Sequence, residues 1–356
     1  MADLSAALRE SVLAAYRDEC VLDIRGAGSK TFYGRSATGV PLDVSGHSGI
    51  IDYQPGELVL TARAGTPLDT LEQAVAEAGQ ILPFDPPHFG GSENPCGTLG
   101  GIVACGLSGP RRPYAGAVRD LVLGTRIING KGEDLRFGGK VIKNVAGYDL
   151  SRLMVGAMGT LGVLLDISIK LLPAPRSEVT LSFECDAPQA LDHMNGWAGQ
   201  AVPLSAAAWV DGVLRIRLSG FESAVSTAVT KLGGERQDGD NRWWHDLRDH
   251  TLPFFSGNAP LWRLSVGGSR PQPEIEGSYL LDWGGSQRWY RGPAGADVLR
   301  PAAVAMGGHA TAFRGGNRND DVFHLPAPAT LVLHRKLKAA MDPLGILNPG
   351  RLYAGL

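Results

Sequence analysis

The sequence predicts an α+β protein of two domains and a C-terminal tail. Three observations carry that prediction. The 356 residues are 44% hydrophobic and 20% charged, a globular balance with chain enough for two cores. The first half alternates short apolar runs with turns and helices. The second half pairs strand runs with helical runs, as in an antiparallel sheet with helices on one face. Pro173-Ala174-Pro175 marks the boundary, so the domains are residues 1–175 and 176–330, with 331–356 as the tail.

Leu4, Leu8, Val12 and Ala15 recur at helical spacing among charged residues, which predicts an amphipathic first helix and no signal peptide. Val21–Ile24 and Val40–Val44 read as strands. Ile50–Tyr53 and Leu58–Arg63 read as a strand pair joined by Gln54-Pro55-Gly56-Glu57. A helix follows over Pro67–Ala78, with Thr66 as its cap, Pro67 at the first position and Gly79 at the exit. Ile81–Phe84 is extended, and Asp85–Gly116 reads as a long irregular stretch. Leu121–Ile128 is a strand ending in the hairpin signal Asn129-Gly130. Tyr148–Val155 reads as helix and Val163–Leu172 as strand. Beyond the boundary, Val179–Phe183, Ala206–Val210 and Val213–Leu218 are strands. Pro188–Trp197, Phe221–Leu232, a segment starting at Trp243, and Leu331–Met341 are helices. Glycine-rich hairpin-like pieces surround Trp283-Gly284-Gly285 and Met306–His309.

Lys and Arg total 34 against 36 Asp and Glu, a net charge of −2. General nucleic-acid or anionic-membrane binders carry a basic excess, so neither partner is expected. No 18-residue apolar run is present, so no membrane span is expected. The four cysteines form no CxxC pair, which argues against zinc-ribbon and iron–sulfur sites and for a reducing, cytoplasmic setting. Cys96 and Cys105 read as small apolar packing residues.

Glycine stands out: 48 of 356 residues, nearly twice the usual share of about 7%. In the first half it gathers at Arg25–Lys30, Gly90–Gly109 and Gly156–Gly162. Backbone N–H groups exposed by glycine turns cradle phosphate, and Arg25, Ser29 and Lys30 add charge and hydroxyl donors. Neither the P-loop spacer nor the third glycine of the dinucleotide fingerprint is present. One such cluster is an ordinary turn. Three in one domain, one of them cationic, favour an extended phosphorylated cofactor.

The ordered set Arg25-Gly26-x-Gly28-Ser29-Lys30, Gly97-Thr98-Leu99-Gly100-Gly101, Arg119-Asp120-x-Val122-Leu123-Gly124, Lys143-Asn144-x-x-Gly147-Tyr148-Asp149-Leu150 and Gly159-Thr160-Leu161-Gly162 resembles the FAD domain of the vanillyl-alcohol oxidase and p-cresol methylhydroxylase family. The tail Asp342-Pro343-x-Gly345-x-Leu347-Asn348-Pro349-Gly350 is similar to that of the FAD-linked 2-hydroxy acid oxidases, and within them to the FAD-binding subunits of bacterial glycolate oxidase complexes. The resemblance implies two α+β subdomains clamping a non-covalent FAD beneath a C-terminal cap domain with an antiparallel sheet. It implies that Arg25, Gly26, Ala27, Gly28, Ser29 and Lys30 form the pyrophosphate loop. Pro86, Gly97, Thr98, Leu99, Gly100, Gly101 and Ser108 would line the pyrophosphate and ribose. Gly159, Thr160 and Gly162 would approach the adenosine half, with Asn348 near the flavin. Lys143, Arg111, Arg112 and Arg351 are candidates for a cation near the reduced ring. The implied partners are a catalytic flavoprotein subunit and an iron–sulfur subunit. The implied substrate is a small 2-hydroxy acid, and any inner-membrane contact would come through the partners.

The family's catalytic relatives carry a histidine cluster where this chain has Gly307–Arg314, and only His309 remains. A divalent metal needs several convergent ligands, so no metal site is expected. His309 and Arg314 are the candidate residual substrate-side pair. His47 reads as a loop histidine, not a covalent flavin anchor. Asp149 reads as a helix cap. Trp243, Trp244, Trp262, Trp283 and Trp289 fit either core packing or a subunit contact with Arg288, Arg291 and Arg300. Three functions stay open: an electron-relaying FAD subunit, a self-sufficient hydroxy acid or alcohol oxidase, and a scaffold that has lost its cofactor.

Overall fold

The computed structural model describes residues 2–90, 96–139, 149–237 and 241–356. They form two units. The first takes Met1–Ser108, Ala117–Pro173 and Arg318–Leu356, and the second takes Gly109–Gly116 and Ala174–Asn317. Lys143, Asn144, Gly147 and Tyr148 lie outside the described residues.

In the first unit, β1 (Leu22–Arg25) and β2 (Val40–Asp43) pair in parallel. The strands β3 (Ile50–Gln54), β4 (Val59–Arg63), β6 (Val122–Ile128), β7 (Asp134–Gly138) and β8 (Val163–Lys170) make an antiparallel sheet in the order β3-β4-β8-β6-β7. Between β4 and β6, β5 (Gln80–Ile81) pairs with β9 (Leu172–Pro173). Leu60 and Ala62 on β4, and Val163, Leu165, Ile167 and Ile169 on β8, are fully buried in the centre of the sheet. Such continuous apolar strands belong in a sheet interior. The Asn129-Gly130 signal holds as a five-residue hairpin loop, in which the Asn129 Oδ1 accepts the N–H groups of Lys131 and Glu133.

Three local readings change. The helix begins at Leu68, because the Thr66 hydroxyl donates to the Arg63 carbonyl at 2.7 Å and accepts the Gly49 N–H, leaving it no capping role. The irregular stretch 85–116 contains the helices Leu99–Cys105 and Arg112–Ala115. Glycines hide the first of these: a Cβ on Gly100 would stand 2.7 Å from the Ala64 Cβ, so the helix needs glycine to approach the end of β4. The helix after residue 148 is only Leu150–Leu153, capped as expected by the Asp149 carboxylate on the Arg152 N–H.

In the second unit, β10 (Ser177–Glu184), β11 (Leu204–Val210), β12 (Val213–Gly220), β13 (Glu235–Gln237), β14 (Leu261–Ser265), β15 (Ser278–Asp282), β16 (Gln287–Arg291) and β17 (His309–Arg314) form one antiparallel sheet. Its order among the described residues is β13-β10-β12-β11-β15-β16-β14-β17. The helices Ala187–Ala198 and Glu222–Leu232 bury Leu191, Met194 and Val225 against Leu181, Leu214, Ile216 and Leu281. A further helix, Ala296–Ala305, packs Leu299 and Ala303 on Trp262, Leu264 and Tyr290. Pro301 inside that helix concealed it in the sequence.

Trp244, Trp262, Trp283 and Trp289 are buried, which decides for packing at these four. Arg288 is fully buried and donates to the Pro271 and Gly285 carbonyls, holding a loop. Residues 318–330, assigned by sequence to the cap, group with the first unit. There the Arg318 guanidinium donates to the Gly34 carbonyl at 2.8 Å, and the Phe323 ring meets Tyr33 edge-on at 5.3 Å.

Leu281→Ala removes a fully buried side chain from the second core and is expected to cost about 2–5 kcal/mol. Phe221→Ala, at a side chain that is mostly exposed, is expected to cost within about 0.5 kcal/mol. Denaturant unfolding followed by tryptophan fluorescence checks both.

Candidate functional site

The first unit contains a cavity of about 350 Å³. Its floor is the end of β1 and the loop after it, Asp23 to Thr31. Its walls are Thr98, Gly100 and Gly101 at the start of the helix Leu99–Cys105, the turn Met158–Gly159 with Gly162, and Asn348 with Arg351 from the C-terminal tail. Three glycine clusters spread over more than a hundred residues of sequence therefore meet at one place.

Glycine is needed there for its backbone freedom and its lack of a Cβ. Gly28 has φ +79° and Gly159 φ +75°, a region that L side chains rarely occupy. A Cβ on Gly26 would stand 2.7 Å from the Thr98 hydroxyl, and one on Gly159 would stand 2.6 Å from the Asn348 amide nitrogen. At Gly28 an added Cβ would meet only Thr31, at 4.0 Å, so the space beside this loop is open.

The lining is strongly cationic. Arg25, Lys30, Arg35, Arg318 and Arg351 face one acidic residue, Asp23. Asp23 is paired with Arg25, and Lys30 donates to the Ser29 hydroxyl at 3.1 Å. Arg351 spends its donors on the carbonyls of Thr31, Tyr33 and Arg35, which fixes the loop. Burial lowers the Arg351 and Arg318 pKa values, and neighbouring guanidinium groups lower them further. Burial raises the Cys105 thiol, with Lys30 and Arg351 opposing that shift. Positive charge drawn out of water is costly without an anion. The chemistry of this donor set fits a diphosphate.

The tail reaches the cavity through a buried ion pair. Lys338 donates to the Asp342 carboxylate at 2.6 Å, to the Leu347 carbonyl at 2.7 Å and to the Thr160 carbonyl at 2.8 Å. Asp342 accepts the N–H groups of Ile346 and Leu347. Burial lowers the Lys338 pKa, and Asp342 opposes the shift. Beyond the pair, the Asn348 side chain accepts the Ile24 N–H at 2.7 Å and donates to the Met158 carbonyl at 2.7 Å. Asn348 thus joins β1 to the Gly159 turn.

Of the residues singled out by sequence, Arg25 to Lys30, Thr98, Gly100, Gly101, Gly159, Gly162 and Asn348 line the cavity. Five do not. Leu99 is fully buried in the core. The Ser108 hydroxyl accepts the Val118 N–H, and the Thr160 hydroxyl donates to the Ala157 carbonyl. Pro86 is buried away from the cavity wall. Gly97 lies behind Lys30, whose ammonium fills the space a Cβ would need.

Arg318, Cys105 and the Lys338–Asp342 pair were missed. Only Asp342 had a signal, in the tail motif. Among the candidate flavin-side cations, Arg351 lines the cavity, whereas Arg111 pairs with Glu178 and Arg112 stacks on Trp283 within the second unit. His309 and Arg314 open and close β17, roughly 16 Å apart along a strand, so they form no pair. His47 is fully buried, accepts the Leu4 N–H on Nδ1, and faces Asp166 at 3.5 Å with Nε2. Cys96 is no apolar packing residue: its sulfur lies 3.3 Å from the His88 Nδ1.

Residues 2–138 match the FAD binding domain family. Among solved structures, p-cresol methylhydroxylase aligns with a TM-score of 0.72 at 14% identity, over 99% of this chain and 88% of the other. The 4-ethylphenol oxidase from Gulosibacter chungangensis aligns with a TM-score of 0.69 at 15% identity, over 99% and 88%. Fold and domain match define a protein with an FAD binding domain in the p-cresol methylhydroxylase type of architecture.

More narrowly, the chain is 49% identical over 355 residues to the glycolate oxidase subunit GlcE of Escherichia coli (strain K12), covering 99% of both. It belongs to that subunit's family. It is also 34% identical over 159 residues to the glycolate oxidase subunit GlcD of Bacillus subtilis (strain 168), spanning 44% of this chain and 33% of that one.

Asp342→Asn leaves the Lys338 ammonium buried without its counter-charge. It is expected to cost about 3–5 kcal/mol, and hydrogen exchange at Ile24 and Asn348 should rise with it. Unchanged stability and exchange would show that the ion pair does not hold the tail.

Proposed function

We propose that this chain is the FAD-binding subunit of a complex that oxidises glycolate, or a similar small 2-hydroxy acid, to the 2-oxo acid. Electrons from its FAD pass to partner subunits, which include a catalytic flavoprotein and an iron–sulfur protein. The observation that carries the reading is the meeting of three glycine turns and Asn348 on one cation-lined cavity. The similarity to a glycolate oxidase subunit over nearly the whole chain supports it.

On this reading Arg25, Lys30 and Arg351 neutralise the diphosphate, and Gly26 and Gly28 let the backbone approach it. Gly159 and Gly162 present backbone to the adenosine half. Asn348 acts by position, holding β1 and the Gly159 turn at a fixed separation. FAD, when bound, supplies a redox centre that exchanges electrons with substrate and partners. A non-covalent mode of binding is supported by His47, whose ring nitrogens both face protein groups and which does not line the cavity.

Oxidation of the hydroxy acid itself falls to the catalytic partner, because His309 and Arg314 are held at opposite ends of β17. No described helix is long and apolar enough to cross a membrane, so inner-membrane attachment would come through the partners.

The purified chain is expected to be yellow and to release its flavin on denaturation. Anaerobic glycolate should leave it coloured until the partner subunits are added. A colourless protein would overturn FAD binding, and bleaching by glycolate alone would move substrate oxidation into this chain. Gly28→Val places a β-branched side chain at positive φ in the open loop space. It is expected to lower flavin retention at least about ten-fold, the equivalent of 1.4 kcal/mol, with the far-ultraviolet dichroism unchanged.

A further inference from the structure

Close to Lys30, the helix Leu68–Glu77 meets His88 and Cys96 in a donor set that FAD binding does not use. Asp69 and Glu72 lie one turn apart on that helix, with His88 between them. The His88 Nε2 is 3.1 Å from the Glu72 Oε1, and its Nδ1 is 3.0 Å from the Asp69 Oδ1. The Cys96 sulfur stands 3.3 Å from the same Nδ1. Ligand atoms of Asp69, His88 and Cys96 all lie within 4.8 Å of one another.

A neutral imidazole that donates from Nε2 to Glu72 turns the Nδ1 lone pair toward a carboxylate oxygen and a sulfur. The Cys96 thiol proton is then shared with Nδ1 beside the Asp69 oxygen, and a cation at that point takes the proton's place among the nitrogen, oxygen and sulfur lone pairs. A tetrahedral zinc-class ion, with bonds of about 2.0–2.3 Å, needs ligand atoms roughly 3.3–3.6 Å apart, close to the separations seen at Nδ1. Glu72 fills the place of the carboxylate that orients a metal-bound histidine from its far side.

We propose that Asp69, His88 and Cys96 form a binding site for a thiophilic divalent cation of the zinc class, with Glu72 as the positioning residue. The Asp69 side chain is 67% exposed, so the fourth position is open to water. Binding displaces the Cys96 thiol proton to solvent and forms the metal–sulfur bond in its place. The ion ties the helix Leu68–Glu77 to the segment that leads into Gly97, the glycine against which the Lys30 ammonium packs. Metal occupancy therefore fixes backbone that packs behind the cavity-lining Lys30.

The test uses the full chain with its flavin, stripped of metal by a chelator. Titration with Co²⁺ should give one saturable set of ligand-field bands in the red, beyond the flavin absorption, and Zn²⁺ should abolish them. Equilibrium dialysis should find one Zn²⁺ per chain. Glu72→Gln should weaken Zn²⁺ binding about 10–100-fold. Cys96→Ser and His88→Gln should weaken it at least as much, at unchanged flavin content. Asp69→Asn, at an exposed carboxylate, serves if either of those variants fails to fold, and Cys20→Ser should have no effect. Absence of stoichiometric binding, or binding unchanged in the Cys96, His88 and Asp69 variants, overturns the proposal and leaves an imidazolium held between two carboxylates. Because the readout is metal binding, its failure is distinct from a failure to bind FAD.

Discussion

The first unit depends on one buried ion pair. Lys338 and Asp342 are four residues apart at the end of the last helix, and each spends its remaining hydrogen-bonding capacity on backbone from elsewhere. The ammonium reaches the Thr160 carbonyl in the glycine turn. The carboxylate bends the chain at Ile346–Leu347 so that this segment pairs with Leu22. Asn348 then links Ile24 to Met158. A charge pair of this kind is a poor source of net stability. Its role here is geometric, because it sets where the tail meets β1 and the glycine turn, and their separation is the width of the cavity. Gly130 belongs to the same device: a side chain there would collide with Asp342.

Much of the fold was legible because it rests on local periodicity. β4, β6, β8 and the strands β10 to β12 are apolar runs bounded by turn residues. What failed to show was structure whose cause is non-local. The helix Leu99–Cys105 reads as loop because Gly100 and Gly101 lower its propensity, and contact with Ala64 supplies what propensity lacks. Thr66 looked like a cap from its place before Pro67, but a distant partner, Gly49, claims its hydroxyl. Strands β14 to β17 are short and interrupted by Arg263, Arg288 and His309. Their burial comes from the helix Ala296–Ala305, which a proline disguised.

The site divides in the same way. The loop Arg25–Lys30 and the turns at Gly97–Gly101 and Gly159–Gly162 were visible as ordered motifs. Ser108, Thr160 and Leu99 sit inside or beside those motifs, yet their groups serve caps and core. A motif names the backbone that approaches a ligand, and it does not say which side chains within it face inward. Arg318 lies outside every motif and enters the cavity wall because its guanidinium is anchored on Gly34. The cluster of Asp69, His88 and Cys96 left no pattern at all, since its residues come from a helix and a loop with no ligand spacing between them.

The cavity's charge also bears on why the apoprotein and the loaded protein should differ in more than colour. Five cations line the cavity beside one lining carboxylate, and Arg318 and Arg351 lose basicity to burial and each to a neighbouring guanidinium. These guanidinium groups cannot relax outward, because their donors are committed to the carbonyls of Gly34, Tyr33 and Thr31, which shape the loop. An anion in the cavity relieves the repulsion without breaking those bonds. Ligand binding and folding are therefore linked, and the stability gained on loading grows with the logarithm of ligand concentration over its dissociation constant. If these cations receive an anionic cofactor, as proposed, its affinity and the stability of the unit share one electrostatic origin.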